Sequence, residues 1–368
     1  MDITNPHHPK WQPPFCPNPN CKFHKDFSQE WRYKRIGFYT RQAFPRRIQR
    51  FLCLHCRRSF SCQTFSPDYW LKRPDVLPRL MDLTCGCMAN RQIAHELRVS
   101  PPTVDLQLAR LGRHCLLYHQ RKIQDMSPAR DITIDGFESF ELSQYFPFHH
   151  HLAVDNRTGF LLWFTDSPLR RKGRMTPYQR KRRQKLEKRL GRPDPQAVRK
   201  DVRELLEVVT ANTDQITIRS DEHRSYPPAM RGLSVEIKHR VTNSKERRDK
   251  RNELWEVNLM DLLIRHCSSN HKRETIAWSK RRQSSALRLA VFLVWRNYVK
   301  KRWAKRGRQS PAMEMSIASR LLTAEEILGR RYFPTGADLK GRWREYYWGE
   351  VQTPGLGQNR RHELKYAA

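Results

Sequence analysis

The sequence predicts a multidomain α+β fold, and three observations carry that expectation. Two close cysteine pairs near the N-terminus, Cys16/Cys21 and Cys53/Cys56, have the spacing of a small metal-stapled ribbon. Apolar residues between Asn90 and His114 follow the period of two short helices joined by a tight turn. Beyond residue 130, short β-branched runs alternate with helical stretches, as in an α/β domain. The chain then divides at about 1–68, 69–125, 126–305 and 306–368, with a basic helical insertion at about 168–207.

The first segment reads "FCPNPNC" and "FLCLHC". Two cysteine pairs on tight knuckles supply four thiolates to one tetrahedral zinc, and the Pro17–Asn20 run suits a knuckle. So small a core needs a metal to hold together, with Phe60 and Phe65 as packing. Four protein thiolates leave no open position, so this zinc is expected to be structural. Cys62, His24 and His55 are nearby alternative ligands.

In the second segment Ile93 and Leu97 share one helical face, and Val104, Leu108 and Leu111 share another. Ser100 is a good N-cap and Pro101 suits the first helical position. This is the pattern of a helix-turn-helix, whose second helix enters the major groove of DNA. Thr103, Gln107 and Arg110 are the expected DNA-facing residues; a plain helical hairpin fits the same spacing.

The third segment opens with "DITID", a short strand reaching Asp135. Leu152–Val154 and Phe160–Phe164 read as a hairpin, and Ile216–Arg219 is a strand followed by Asp221. "VEIKHRV" is another strand, and "SALRLAVFLVW" an apolar helix. Carboxylates at the ends of neighbouring strands can converge on a metal pair that acts on a phosphodiester. Magnesium suits such a site. Asp131 and Asp155 fit ordinary strand-end turns, and by spacing alone Asp135 and Asp221 fit them too. Asp261 reads as an exposed position on an amphipathic helix.

The stretch from Arg170 to Arg203 holds 15 Lys or Arg against three acids. A solvated helical face rarely carries so lopsided a charge, so Arg170, Arg171, Lys172, Arg180, Lys181, Arg182 and Arg183 are expected to clamp a DNA backbone. A protein–protein contact is the alternative. Across the whole chain 71 Lys and Arg face 37 acids, a formal charge of +34, which argues for a nucleic-acid partner. The longest apolar run, Leu289–Trp295, is far short of the roughly 20 residues of a membrane helix. The N-terminus has no signal-peptide pattern. A cytoplasmic or nucleoid location is therefore expected, with no membrane partner. The segment after Lys300 reads as a basic, aromatic tail that contacts DNA or a second protomer.

Together "CPNPNC…CLHC…FS..TF", "IDGFESFE", "SDEHRSYP" and "NHKRETIAWSKRRQ" resemble bacterial insertion-sequence transposases of the insertion-sequence-one type. These carry an N-terminal zinc ribbon, a helix-turn-helix and an RNase H-like DDE catalytic domain. The resemblance covers roughly residues 14 to 300. It implies a DNA transposase: magnesium-dependent cutting of double-stranded DNA at transposon ends, strand transfer into target DNA, and a homo-oligomer that pairs the ends. By motif match Asp135 takes the first acid position and Asp221 the second, flanked by Glu222 and His223.

At the third position the chain departs from the family pattern. "TIAWSK" is followed by Arg281, Arg282 and Gln283, so strict register puts an amide where the acid stands in relatives. An amide offers a carbonyl oxygen but no charge. Glu274 lies nine residues earlier, about 13 Å away and on nearly the opposite face of a continuous helix. Glu274 is taken as the third ligand and Gln283 as its rival, with His271 as a further metal or phosphate ligand. If the third acid is lost, the chain is instead a catalytically inactive, transposase-derived DNA-binding protein. A basic RNA-binding or ribosome-associated protein would need no strand-end aspartates.

Overall fold

The computed structural model describes residues 6–8, 10–25, 30–303, 305 and 307–364. It is a mixed α/β structure with two sheets. Three antiparallel strands, β1 (Tyr33–Thr40), β2 (Arg47–Cys53) and β3 (Ser59–Ser61), form the first. Its small core holds Trp11, Phe23, Phe51, Phe60 and Phe65 and is closed by Phe333 from the far end of the chain.

Three helices follow: α1 (Val76–Cys85), α2 (Asn90–Glu96) and α3 (Pro101–Ile123). The spacing argument holds here. Ile93, Leu97, Val104, Leu108 and Leu111 are all buried. Ser100 caps α3, its side chain accepting the Thr103 N–H at 3.4 Å, with Pro101 at the first helical position. The turn is made by Arg98 in the left-handed region, φ 51°.

The second sheet has the order β6-β5-β4-β7-β8. Strands β4 (Asp131–Glu141), β5 (Phe146–Asp155) and β6 (Leu161–Pro168) form an antiparallel meander. The chain crosses over through α4 (Pro177–Leu190) and α5 (Ala197–Val209) to β7 (Gln215–Ser220), which runs parallel to β4. Helix α6 (Tyr226–Met230) leads to β8 (Glu236–Val241), parallel to β7. Strand β4 does not stop at Asp135; pairing with β5 carries it on to Glu141.

Two further helices, α7 (Trp255–Cys267) and α8 (Arg282–Val294), lie against the structure on the side reached by Phe137 and His150. Arg265 on α7 covers the Phe137 ring, and Ser285 on α8 meets His150 at 3.0 Å. α3 and α8 pack backbone to backbone at Gly112, where a Cβ would stand 2.6 Å from the Leu287 carbonyl oxygen. One apolar core therefore runs from the helices before the sheet through the sheet to the C-terminal segment.

That segment is not a projecting tail. It forms α9 (Pro311–Glu314), α10 (Ala324–Ile327) and α11 (Gly341–Trp348). Trp343 stacks on Trp163 at 3.6 Å and donates to the Phe164 carbonyl at 2.8 Å. Tyr346 donates to the fully buried Asp166, which also pairs with Arg282 at 3.1 Å and Arg342 at 3.5 Å. Among the described residues no helix is long and apolar enough to cross a membrane.

Candidate functional site

A cysteine quartet and a group of buried acids stand apart. In the first, the ligand atoms of Cys16, Cys21, Cys53 and Cys56 all lie within 4.8 Å of one another, with Cys16 Sγ and Cys56 Sγ 3.6 Å apart. All four thiols are free of disulfides. The strand end at Cys53 and the turn after it supply one pair; the Asn18 knuckle, with Cys21 N–H donating to Asn18 O at 3.0 Å, supplies the other. Burial pushes the Cys56 thiol up, but hydrogen bonds from Asn18 and the Arg58 backbone outweigh it and bring the group down to about 7. The quartet could hold a metal such as zinc, with its thiols as thiolates. The alternatives are engaged elsewhere. His24 Nδ1 lies 2.9 Å from the Cys16 carbonyl and its Nε2 3.1 Å from Thr335 Oγ1. His55 packs on Phe23, and Cys62 lies outside the quartet.

The second cluster is made by strand register. The last paired positions of β4 and β7 are Thr133 and Arg219. Asp135 and Asp221 each follow two residues later, so parallel neighbours deliver both carboxylates to one height at the point where β7 ends. Helix α7 adds a third acid, Asp261. Burial pushes Asp135 up to about 6, and the charge of Asp221 adds to the rise; Arg248 and the Gly136 N–H, which donates to Asp135 Oδ1 at 2.7 Å, oppose it. Burial and then the charge of Asp135 push Asp261 well above the carboxylate range, against Arg265 and Arg248. Tyr226, at the start of α6, is buried among all three: after burial itself, Asp135, Asp221 and Asp261 in turn raise its phenol.

Like charges crowded at low dielectric favour either a proton or a cation. One oxygen of Asp261, Oδ1, is buried with no hydrogen-bond partner among the described residues, as a carboxylate waiting for a cation would be. The acids stand more widely than the thiols: among the described residues only the cysteines bring three or more ligand atoms within 4.8 Å. Asp221 Oδ1 accepts the His223 N–H at 2.9 Å. Lys172, in the loop after β6, acts on the nearby His149 and His223, which burial keeps below their usual range, His149 at about 4. The other two aspartates do turn and pairing work. Asp131 makes a two-pronged ion pair with Arg219 at 2.7 and 2.8 Å, and Asp155 Oδ1 accepts the Thr158 N–H at 2.8 Å.

Glu274 and Gln283, read from the sequence as the third ligand and its rival, are placed differently. Glu274 is exposed on the non-helical stretch before α8. Gln283 is buried at the start of α8, where its Nε2 donates to the Tyr346 carbonyl at 2.6 Å beneath α11. The two never share a helix, since α8 begins only at Arg282. His271 is buried against Phe137 and His150. A signal for Asp261 was present: Val257, Met260, Asp261 and Ile264 have the spacing of one helical stripe, and the three apolar members are buried. An acid inside that stripe faces the sheet.

The DNA-facing residues read from the sequence fall into two groups. α4 has no buried residue, and Arg180, Lys181 and Arg182 are exposed along it, with Lys172 exposed before it. Arg170 and Arg183 instead ring Glu187 at 2.8 and 3.3 Å, and Arg183 also donates to the Arg171 carbonyl at 2.9 Å. On α3, Thr103 bonds the Ser100 hydroxyl at 2.9 Å, and Gln107 is half-buried. Arg110 turns inward, donating to the carbonyls of Pro67 at 3.0 Å and Tyr69 at 2.6 Å.

No protein-family model matches the chain, and neither does any curated protein. Among solved structures it is similar to a chain of the "CryoEM structure of simian T-cell lymphotropic virus intasome in complex with PP2A regulatory subunit B56 gamma". The identity is 15% and the TM-score 0.26, over 52% of this chain and 55% of that one. A likeness of that size carries no argument about fold or function.

Proposed function

We propose that the chain is a DDE-type DNA transposase whose metal ligands are Asp135, Asp221 and Asp261. The observation that carries this reading is the shared register of Asp135 and Asp221, with Asp261 brought to them by α7. The strand order supports an RNase H-like domain: an antiparallel meander of three strands, then two parallel strands added beside the first. The +34 charge and the exposed cations of α4 support double-stranded DNA, at transposon ends and target, as the partner. The cysteine quartet is assigned a structural zinc. Pairing of two ends implies a homo-oligomer acting at the nucleoid.

Magnesium, when bound, would activate a water or a DNA 3′-hydroxyl and stabilise the leaving oxygen. The residues around it have their own tasks. Asp135 and Asp261 must lose protons for the site to work, and their burial and mutual repulsion make that loss hard until a cation arrives. Tyr226 is buried within electrostatic reach of all three acids, its ring against His223. Arg248 places positive charge beside the acids, and Lys172 beside the neighbouring His149 and His223, where a scissile phosphate would sit. With its proton already absent at neutral pH, His149 adds no further charge.

Purified protein, Mg²⁺ and DNA carrying the element's own ends are expected to give nicked 3′ ends. Asp135→Asn and Asp221→Asn each abolish the product. Binding of those ends without cleavage under any metal condition would support the inactive DNA-binding protein instead.

A further inference from the structure

A long concave groove runs along α3, away from the carboxylates. It consists of two adjoining cavities of about 610 and 1040 Å³ that share Leu106, Ala109, Arg113, Arg360 and His362. At one end stand Tyr69 and Trp70; at the other, the stretch from Ile276 to Arg281. Residues Asn359 to Glu363 form the facing wall.

The walls carry nine Lys or Arg against two acids, Asp105 and Glu363. Asp105 is already hydrogen-bonded by Asn90. Arg113 lies at the junction of the two cavities with no hydrogen-bond acceptor or acidic partner among the described residues. Burial brings it down to about 10; Tyr347 opposes that fall, while Arg331 and Arg360 deepen it. Arg110, Arg281, Arg288, Arg331 and Arg361 already bond within the chain, but a partly buried guanidinium such as that of Arg113, lacking such a partner, is costly unless an anion enters. Trp70 adds a second, independent observation. It is 68% exposed at the groove mouth and held at φ 62°, a left-handed conformation that a bulky residue rarely adopts. The fold keeps a large aromatic face in water beside a row of cations.

We infer that this groove binds single-stranded nucleic acid, with Arg113 and Arg360 on its phosphates and Trp70 stacking on an unpaired base. Cations that track a backbone, combined with an exposed aromatic platform, are the elements of single-strand recognition. A duplex keeps its bases paired and stacked and has no use for Trp70. The groove shares no residue with the carboxylate cluster, so the inference stands or falls separately from the metal chemistry.

The test is fluorescence anisotropy without magnesium, using a labelled oligothymidine of about ten nucleotides and a duplex of the same length. Trp70→Ala is expected to weaken single-strand binding by about fivefold or more and leave duplex binding within about twofold. Arg360→Gln is expected to weaken it and to lower the salt dependence by about 0.7 in log–log slope. Both side chains are exposed, so both variants should keep the wild-type circular dichroism and melting temperature. Unchanged single-strand affinity in both variants would overturn the assignment. So would equal losses for single strand and duplex, which would make the groove a general phosphate surface.

Discussion

Asp135 and Asp221 each stand two residues beyond the paired positions Thr133 and Arg219 of two parallel strands. That relation ties their convergence to the register of the sheet, Asp135 within β4 and Asp221 immediately after β7. It also makes the pair electrostatically expensive, which sets the first prediction. Burial and the charge of Asp221 raise Asp135 to about 6. A group whose folded value is raised contributes stability that is full below its unfolded value, near 4, and lost as pH rises through 6. Metal-free Asp135→Asn should therefore melt higher than wild type at pH 7.5, by about 1–3 kcal/mol, with the gap closing below about pH 4. Thermal melts across that range check it.

Adding Mg²⁺ should reverse the order. A cation bound only by the folded state stabilises it by mass action, so wild type should gain in melting temperature with Mg²⁺ while Asp135→Asn does not. Activity should rise with pH through about 6, as Asp135 loses its proton. A pH–rate profile at metal concentrations well below saturation reads this directly, because saturating metal would displace the proton at lower pH.

The four cysteines and the Ser100 cap were legible in the sequence because each rests on local spacing, whereas Asp135 and Asp221 were singled out by motif resemblance and look like strand-end turn residues by spacing alone. Three features were not legible. Asp261 was read as exposed, although it lies within the stripe of Val257, Met260 and Ile264; an acid there looks like a solvent residue until its partners, far away in sequence, are in place. The C-terminal segment was read as a tail because its many cations hide the apolar anchors Trp343 and Tyr346, both fully buried. The length of β4 was underestimated because pairing with β5, not local propensity, carries it past Asp135.

The buried network at Asp166 fixes that segment to the sheet. Arg282 and Arg342 hold its carboxyl low despite burial. A depressed group contributes stability above its unfolded value and loses it as pH falls through its folded one. Asp166→Asn should cost about 3 kcal/mol at pH 7, because two buried guanidiniums lose the fully buried counter-ion that they share, although Arg342 keeps Asp201 and Arg282 keeps Glu141. The penalty should shrink on acidification. Urea denaturation at two pH values measures both.

Removing the metal from the cysteine quartet should unfold the ribbon first. Trp31 Nε1 donates to Cys53 Sγ at 3.3 Å and its ring packs on Tyr33 and Phe60, so its environment reports the ribbon. Chelation should release one zinc per chain, measured with a zinc-responsive dye, together with a red shift in tryptophan emission. Cys16→Ser should show the shifted emission from the start.

The central claim is that Asp261, and not Glu274 or Gln283, completes the carboxylate site. Calorimetric titration of Mn²⁺ into zinc-loaded wild type, Asp261→Asn, Glu274→Gln and Gln283→Ala tests it most directly. Asp261→Asn is expected to lose tenfold or more in affinity, about 1.4 kcal/mol or above, while Glu274→Gln and Gln283→Ala bind as wild type does. Full Mn²⁺ affinity in Asp261→Asn, with loss in Glu274→Gln or Gln283→Ala, would contradict it.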